Sequence, residues 1–235
     1  MPDAKIAGQG LDGDKPGSAG RSFRVASFAG GQRSLWTFYE VVNCGRIKEK
    51  NDGGAMRGFL PVEYTGTPEI LYEDDGLLAL SKPAGVLVIP GRGGTDRESL
   101  VERLSRERSR KLFVVHRLDR EASGLVLFAK DRESHRYLSG LFEARQVRKI
   151  YWAVVEGTVD KDGVIDRPVH AFGSGRMGVD DRGKPSETRF RVRERFPGAT
   201  WLEVEPLTGR RHQIRVHLYF AGHPLPMDQA LPGQG

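Results

Sequence analysis

The chain has 235 residues, enough for one domain with a sizeable core plus an extension. Its 38% hydrophobic and 29% charged residues are ordinary for a globular protein. An excess of 37 Lys and Arg over 31 Asp and Glu leaves a formal charge of +6, which favours a polyanionic partner, with nucleic acid ahead of an anionic membrane surface. The single cysteine, Cys44, excludes a disulfide framework and a thiolate-rich metal site. The N-terminus lacks the basic-then-apolar pattern of a signal peptide, and no apolar run approaches the roughly 20 residues that span a bilayer. A cytoplasmic protein without a membrane partner is the expectation.

Residues 1–21, rich in Gly, Asp, Lys and Ser, have the composition of a disordered tail. RSFRVASF and LWTFYEVV (Leu35–Val42) gather β-formers and predict one or two strands, and Lys48–Gly58 reads as a connector. Residues 1–67 are thus read as an N-terminal extension and 68–235 as the compact domain. EILYEDDGLLALSKP predicts a hairpin turning at Asp74-Asp75-Gly76 and ending at Lys82-Pro83. The loop Pro90–Gly94 matches neither a P-loop nor GxGxxG, so no nucleotide site is expected. Glu98–Arg110 predicts a helix behind a Thr95/Asp96 cap, with Leu100, Val101 and Leu104 facing inward.

VVHRLDREASGLVLFAK (Val114–Lys130) places Arg117, Asp119, Arg120 and Glu121 between two apolar strands, with Ser123-Gly124 as the turn. His135–Arg145 predicts a second helix with Tyr137, Leu138, Leu141 and Phe142 as its apolar stripe. Arg148–Val155 reads as a strand, and Thr188–Arg195 with Ala199–Glu205 as an antiparallel pair across Pro197-Gly198. TGRRHQIRVHLYFAGHPL reads as a helix stopped by Gly222. Strands outnumber helices and follow one another through hairpins. The fold class is therefore α+β, with a mixed, mainly antiparallel sheet flanked by helices.

Three groups of residues could carry chemistry. Asp119, between Arg117 and Arg120, should be held ionised by its cationic neighbours and could serve as nucleophile or general base. The plainer alternative is an ion pair at a hairpin tip. Arg210, Arg211, His212 and Arg215 open a helix in a manner suited to phosphates, or form a solvated basic face. A metal site is not expected there, because His212 and His217 are spaced onto different faces of either a strand or a helix. Lys149 and Tyr151 alternate onto one strand face, where the tyrosine could stack on a base or simply cap the core. Neither a kinase loop nor a serine-hydrolase elbow is present, and a hydrolytic Asp119–Glu121 pair is disfavoured because adjacent turn residues do not straddle one bond.

Taken together, HRLDREASGLVLFAK, RKIYWAVVEG, GKPSETRFRV and LTGRRHQIRVHLYFAGHPL, preceded by LLALSKPAGVLVIPG, resemble the RluA-type family of RNA pseudouridine synthases over about residues 68–228. The resemblance implies a pseudouridine synthase-like catalytic domain that acts on ribosomal or transfer RNA without metal or organic cofactor, and a monomer is the expectation. It breaks the N1–C1′ bond of a uridine and rejoins C5 to C1′. It implies Asp119 as the catalytic aspartate, Tyr151 as the tyrosine on the target base and Arg215 as the arginine paired with the aspartate. Arg117 would fill the space of the flipped base, and His116, Arg120, Lys149, Arg210, Arg211 and His212 would contact RNA. Two departures stand out: Ala122 where the family usually has Thr, and GHPLPMDQALPGQG where it has Gly-His-Pro, an aliphatic residue and Gly-Asp. The expectation is a truncated C-terminal end, which opens the alternative of an RNA-binding relative with weak or no activity.

Overall fold

The computed structural model describes residues 26–27, 36–42, 68–91, 98–173 and 175–230; the expected tail, connector and Thr95/Asp96 cap lie outside them. Strands β1 (Ala26–Ser27) and β2 (Trp36–Val42) precede the first hairpin, β3 (Glu69–Glu73) and β4 (Leu77–Lys82). That hairpin turns where Asp-Asp-Gly predicts: Asp74 Oδ1 accepts the N–H groups of Gly76 (2.9 Å) and Leu77 (2.7 Å). Helix α1 (Leu100–Glu107), β5 (Phe113–Val114), β6 (Ser123–Ala129) and α2 (Arg132–Glu143) follow. The second half holds β7 (Val147–Glu156), β8 (Gly163–Asp166), β9 (Val169–Ala171), β10 (Met177–Val179), β11 (Glu187–Phe196), β12 (Ala199–Pro206), α3 (Gln213–Phe220) and a closing 3-10 turn, Pro226–Ala230.

The main sheet runs β3-β4-β6-β2-β7-β12-β11-β8, with β1 added to β2 and β5 to β6, while β9 and β10 form a separate ribbon. Among the described residues, only the β2–β7 pair of this sheet is parallel. The fold is α+β with a mixed, mainly antiparallel sheet. Residues 36–42 thus share the sheet of the residues after 68.

Two apolar layers explain why Leu125–Phe128 is an unbroken hydrophobic run rather than an alternating one. Val126 and Phe128 face Leu78 and Leu80 of β4 and Leu100 and Leu104 of α1. Leu125 and Leu127 pack with Ala79 against Leu141 and Phe142 of α2. A strand buried on both faces needs apolar side chains on both. Another cluster joins Ala153 and Val155 of β7 and Leu202 and Val204 of β12 to Ile214 and Leu218 of α3. Tyr151 packs against this cluster and the α1 cluster alike, and so marks the seam between the two halves of the molecule.

Several boundaries differ from expectation for identifiable reasons. Helix α1 starts at Leu100 because Ser99 donates from both N and Oγ to Glu102 Oε2 (2.9 and 2.6 Å), closing a capping box. Helix α2 starts before His135, because Asp131 Oδ1 accepts the Ser134 N–H at 2.8 Å. Ser123-Gly124 is the start of β6 and not a turn; the chain reverses at Asp119–Ala122, where Ala122 N–H meets Asp119 O at 3.2 Å. Helix α3 begins only at Gln213, and Gly222, at φ 83°, ends it with His223 N–H on Leu218 O (2.9 Å). Strands β8 to β10 are too short to show a period, and no pattern in the sequence announces them.

His116, expected to contact RNA, stands against Phe142 of α2. Its half-buried ring stacks on Phe142 (centroids 4.8 Å apart), and Nε2 accepts the Leu127 N–H at 3.2 Å. Burial, with the Lys149 charge second, pushes its pKa from 6.5 down to about 3. Between those values the unfolded chain binds a proton that the folded chain refuses, so stability falls as pH drops through this window, by at most about 1.4 kcal/mol per pH unit. The substitution His116→Gln keeps an acceptor for Leu127 and removes the titration. Urea unfolding at pH 7 and pH 5 should therefore show a smaller loss on acidification for the variant than for the wild type.

Candidate active site

The turn that carries Asp119 is anchored from below and from the side. Leu118 and Ala122 are buried in the α1 cluster, which fixes the carbons on either side of the exposed Arg120 and Glu121. Ala122 fills this apolar position without a hydroxyl to satisfy. From the side, the fully buried Lys82 ammonium donates to Pro83 O (2.9 Å), Val86 O (2.9 Å) and Arg120 O (3.2 Å). Gly85 N–H also meets Arg120 O (2.7 Å), and Arg120 Nε returns a bond to Gly85 O (3.2 Å). Gly85 adopts φ 87°, a conformation that costs glycine nothing. The loop after β4 and the Asp119 turn are thereby sewn together, and Arg120, expected on RNA, spends its Nε on that seam.

The opposite wall is the entrance to α3. Thr208 Oγ accepts the Glu187 N–H (3.1 Å) and donates to Gln213 Oε1 (2.7 Å), which also accepts the Arg210 N–H (3.0 Å). Gln213 Nε2 donates to Glu187 O (2.9 Å) and Thr188 Oγ (3.0 Å). Thr188 Oγ contacts His217 Nδ1 (2.9 Å), whose Nε2 contacts Arg167 O (3.0 Å). Since a carbonyl only accepts, His217 carries its proton on Nε2 and takes one from Thr188 at Nδ1. Burial keeps its pKa below the ordinary value. This chain of bonds leaves α3 a fixed register on β11 and β12.

Across the cleft, Asp119 Oδ2 lies 2.8 Å from His212 Nδ1 and 3.9 Å from Arg215 Nη1. Burial alone would raise the Asp119 pKa, but the His212 hydrogen bond, with the charges of Arg215 and Arg117, outweighs it and holds the carboxyl below its ordinary value. Arg215 is itself gripped from behind: Nε and Nη2 both donate to Asp228 Oδ1, at 2.8 and 2.6 Å. Its Nη1 is also 3.9 Å from Glu121 Oε2. Asp119, Arg117, Lys149, Tyr151, Arg210, His212 and Arg215 line one cleft. Lys149 and Tyr151 share a face of β7, as alternation predicts, and Lys149 Nζ reaches Thr208 O at 3.2 Å.

Of the residues singled out in the sequence, His116, Arg120 and Arg211 are not among those lining the cleft, and Arg211 stands exposed with Nε on His212 Nε2 (3.0 Å). His212 turns to the carboxylate of Asp119. Asp228 went unnoticed because its segment reads as a departure from the usual Gly-Asp; the aspartate persists behind Met227, and that was the signal available. Among the described residues, no group of three or more His, Cys, Asp or Glu is placed to hold a metal ion, and no helix is long and apolar enough to cross a membrane.

Asp228 is 1% exposed and the Arg215 side chain 18%, so the pair is largely withdrawn from water. Removing one member of such a pair leaves the other without compensation, at a cost of about 3 kcal/mol. Asp228→Ala should lower the unfolding free energy by about that amount in urea titrations, and Asp228→Asn, which keeps an acceptor, by less.

Residues 76–219 match the family described as RNA pseudouridylate synthase. The chain is 43% identical over 165 residues to ribosomal large subunit pseudouridine synthase C of Vibrio vulnificus (strain CMCP6), covering 68% of this chain and 51% of that protein. It is 40% identical over 184 residues to the dual-specificity RNA pseudouridine synthase RluA of the same strain, covering 74% and 73%. It spans about half the length of the synthase C relatives it matches. Among solved structures, human RNA pseudouridylate synthase domain containing 4 superposes with a TM-score of 0.56 at 27% identity, over 68% of this chain and 67% of that one. Human RNA pseudouridylate synthase domain containing 1 shares the fold, with a TM-score of 0.60 at 24% identity over 71% and 70%. With a family match over most of the described domain and the same fold in solved members, the chain belongs to the RNA pseudouridine synthases, in the RluA-type branch that its motifs resemble.

Proposed function

We propose that this chain converts specific uridines in ribosomal or transfer RNA to pseudouridine, with Asp119 as the reacting carboxylate. The observation that carries the reading is the convergence of Asp119, Tyr151 and Arg215, from three separate segments, on one cleft. The names of its relatives support RNA as the substrate: one acts on the large ribosomal subunit and another is dual-specific.

The reaction is an isomerisation and leaves atoms and electrons balanced. The N1–C1′ bond of the uridine breaks, C5 joins C1′, C5 loses its proton and N1 gains one. Asp119, kept anionic by His212 and Arg215, serves at the sugar or base as nucleophile or general base. Tyr151, half-buried at the seam of the two halves, offers an aromatic face and a hydroxyl to the base. A base buried in folded RNA reaches this cleft only by leaving its stack, at a cost of a few kcal/mol. In this reading Arg117, exposed and lining the cleft, fills the space that base vacates. Lys149 and Arg210 bring positive charge to the same cleft, where phosphate contacts help to offset the cost.

Asp119→Asn preserves shape and removes the anion. Tritium release from RNA carrying 5-tritiated uridine should fall to background while RNA affinity stays within a few-fold; substantial turnover by the variant would remove Asp119 from the chemistry. Affinity should also fall steeply with added salt as counterions are released from the RNA. Filter binding across a salt series should show Arg210→Ala weakening all RNAs alike and reducing the slope of log K against log salt by about one.

A further inference from the structure

Three non-glycine residues among those described adopt positive φ: Ser109 (48°), Arg145 (56°) and His212 (53°). The first two each follow the last turn of a helix, α1 or α2, where a left-handed residue closes the final hydrogen bonds. His212 has no such reason. It precedes α3, at the third position of a turn closed by Gln213 N–H on Arg210 O (3.2 Å), a place that favours Gly or Asn. A side chain held there against its backbone preference costs energy that the surroundings must supply.

What the conformation achieves is the direction of the ring. It sets Nδ1 2.8 Å from Asp119 Oδ2, closer than any atom of Arg215 comes to that carboxylate. The other ring nitrogen, Nε2, receives Arg211 Nε–H at 3.0 Å, and a nitrogen that accepts carries no proton. Arg211 thereby fixes the tautomer, and the proton stands on Nδ1, aimed at Asp119. Arg211 Nη1 is also 3.5 Å from Gly175 O, so the guanidinium is held to the ribbon of β9 and β10.

We infer that His212, in the tautomer set by Arg211, is the positioning residue for Asp119: it donates Nδ1–H to the carboxylate and so holds one oxygen, leaving the other free toward the substrate. The inference rests on the proposed role of Asp119 and adds a residue to it. A general consequence is that the carboxylate is oriented by a neutral donor, while Arg215 supplies charge from a greater distance.

The substitutions His212→Gly and His212→Asn separate the donor from the backbone. Glycine relieves the left-handed conformation and removes the donor; asparagine accepts that conformation and presents an amide N–H in the place of Nδ1–H. Expected for H212G is a loss of kcat of about 10- to 100-fold with KM little changed, and an acid limb of the kcat–pH profile moved to higher pH, since the anion loses a donor. H212N should recover most of the lost kcat and restore the acid limb. Ring nitrogen shifts of 15N-labelled histidine in the wild-type enzyme should show His212 protonated at Nδ1 alone. Wild-type kcat and an unmoved profile in H212G, no recovery in H212N, or a ring protonated only at Nε2 would each overturn the inference. Asp119→Asn, run alongside, separates the two readings: an active D119N removes the proposed function, whereas an inactive D119N with an indifferent His212 series removes only the positioning role.

Discussion

The placement of Asp119 depends on a lysine ammonium that sees no water. Lys82 ends β4 inside the domain and gives three hydrogen bonds to carbonyls from two loops. An ammonium buried without such partners would cost far more than a domain's stability margin tolerates. The two loops are therefore obliged to stay where their carbonyls can serve it. Arg120 O is one of those carbonyls, and Asp119 is its neighbour in sequence. A charge at the end of a strand thus determines, through backbone groups alone, where a carboxylate in a distant turn will stand.

The second wall of the cleft is fixed by different means. The path from Thr208 through Gln213 and Thr188 to His217 has a single direction, because each group in it either must give or must take a proton. Such a path tolerates no sliding of α3. Arg215, two residues along that helix, inherits its position and is then clamped by Asp228 from the closing 3-10 turn. Lys82 secures one wall, the Gln213 path the other, and Tyr151 occupies the seam to which both apolar clusters reach.

Much of this could be read in the chain before any coordinates. Hydrophobic runs and turn residues locate β3, β4, β6, β7, β11 and β12, since those features are local and periodic. The motifs bring Asp119, Tyr151 and Arg215 together by resemblance. What could not be read are relations settled only by tertiary contact. His116 and His212 look alike as histidines beside arginines, yet one becomes a neutral acceptor stacked on Phe142 and the other a partner of Asp119. Asp228 looks like part of an altered segment, and only the Arg215 side chain reveals its use. Composition gives no hint that Arg120 would reach Gly85 O.

The parallel pairing of β2 with β7 bears on the order of assembly. β6 and β7 are joined through α2, yet in the sheet they are separated by a strand drawn from residues 36–42. The local hairpins β3–β4 and β11–β12 close short loops and can form early. The middle of the sheet must wait for a segment that lies a long way upstream, and the entropy of closing that large loop is spent before any contact rewards it. Nascent chain leaving the ribosome carries that strand before β6 and β7, so it waits for both of these neighbours. The middle of the sheet is thus complete only when residues 36–42 are captured between β6 and β7.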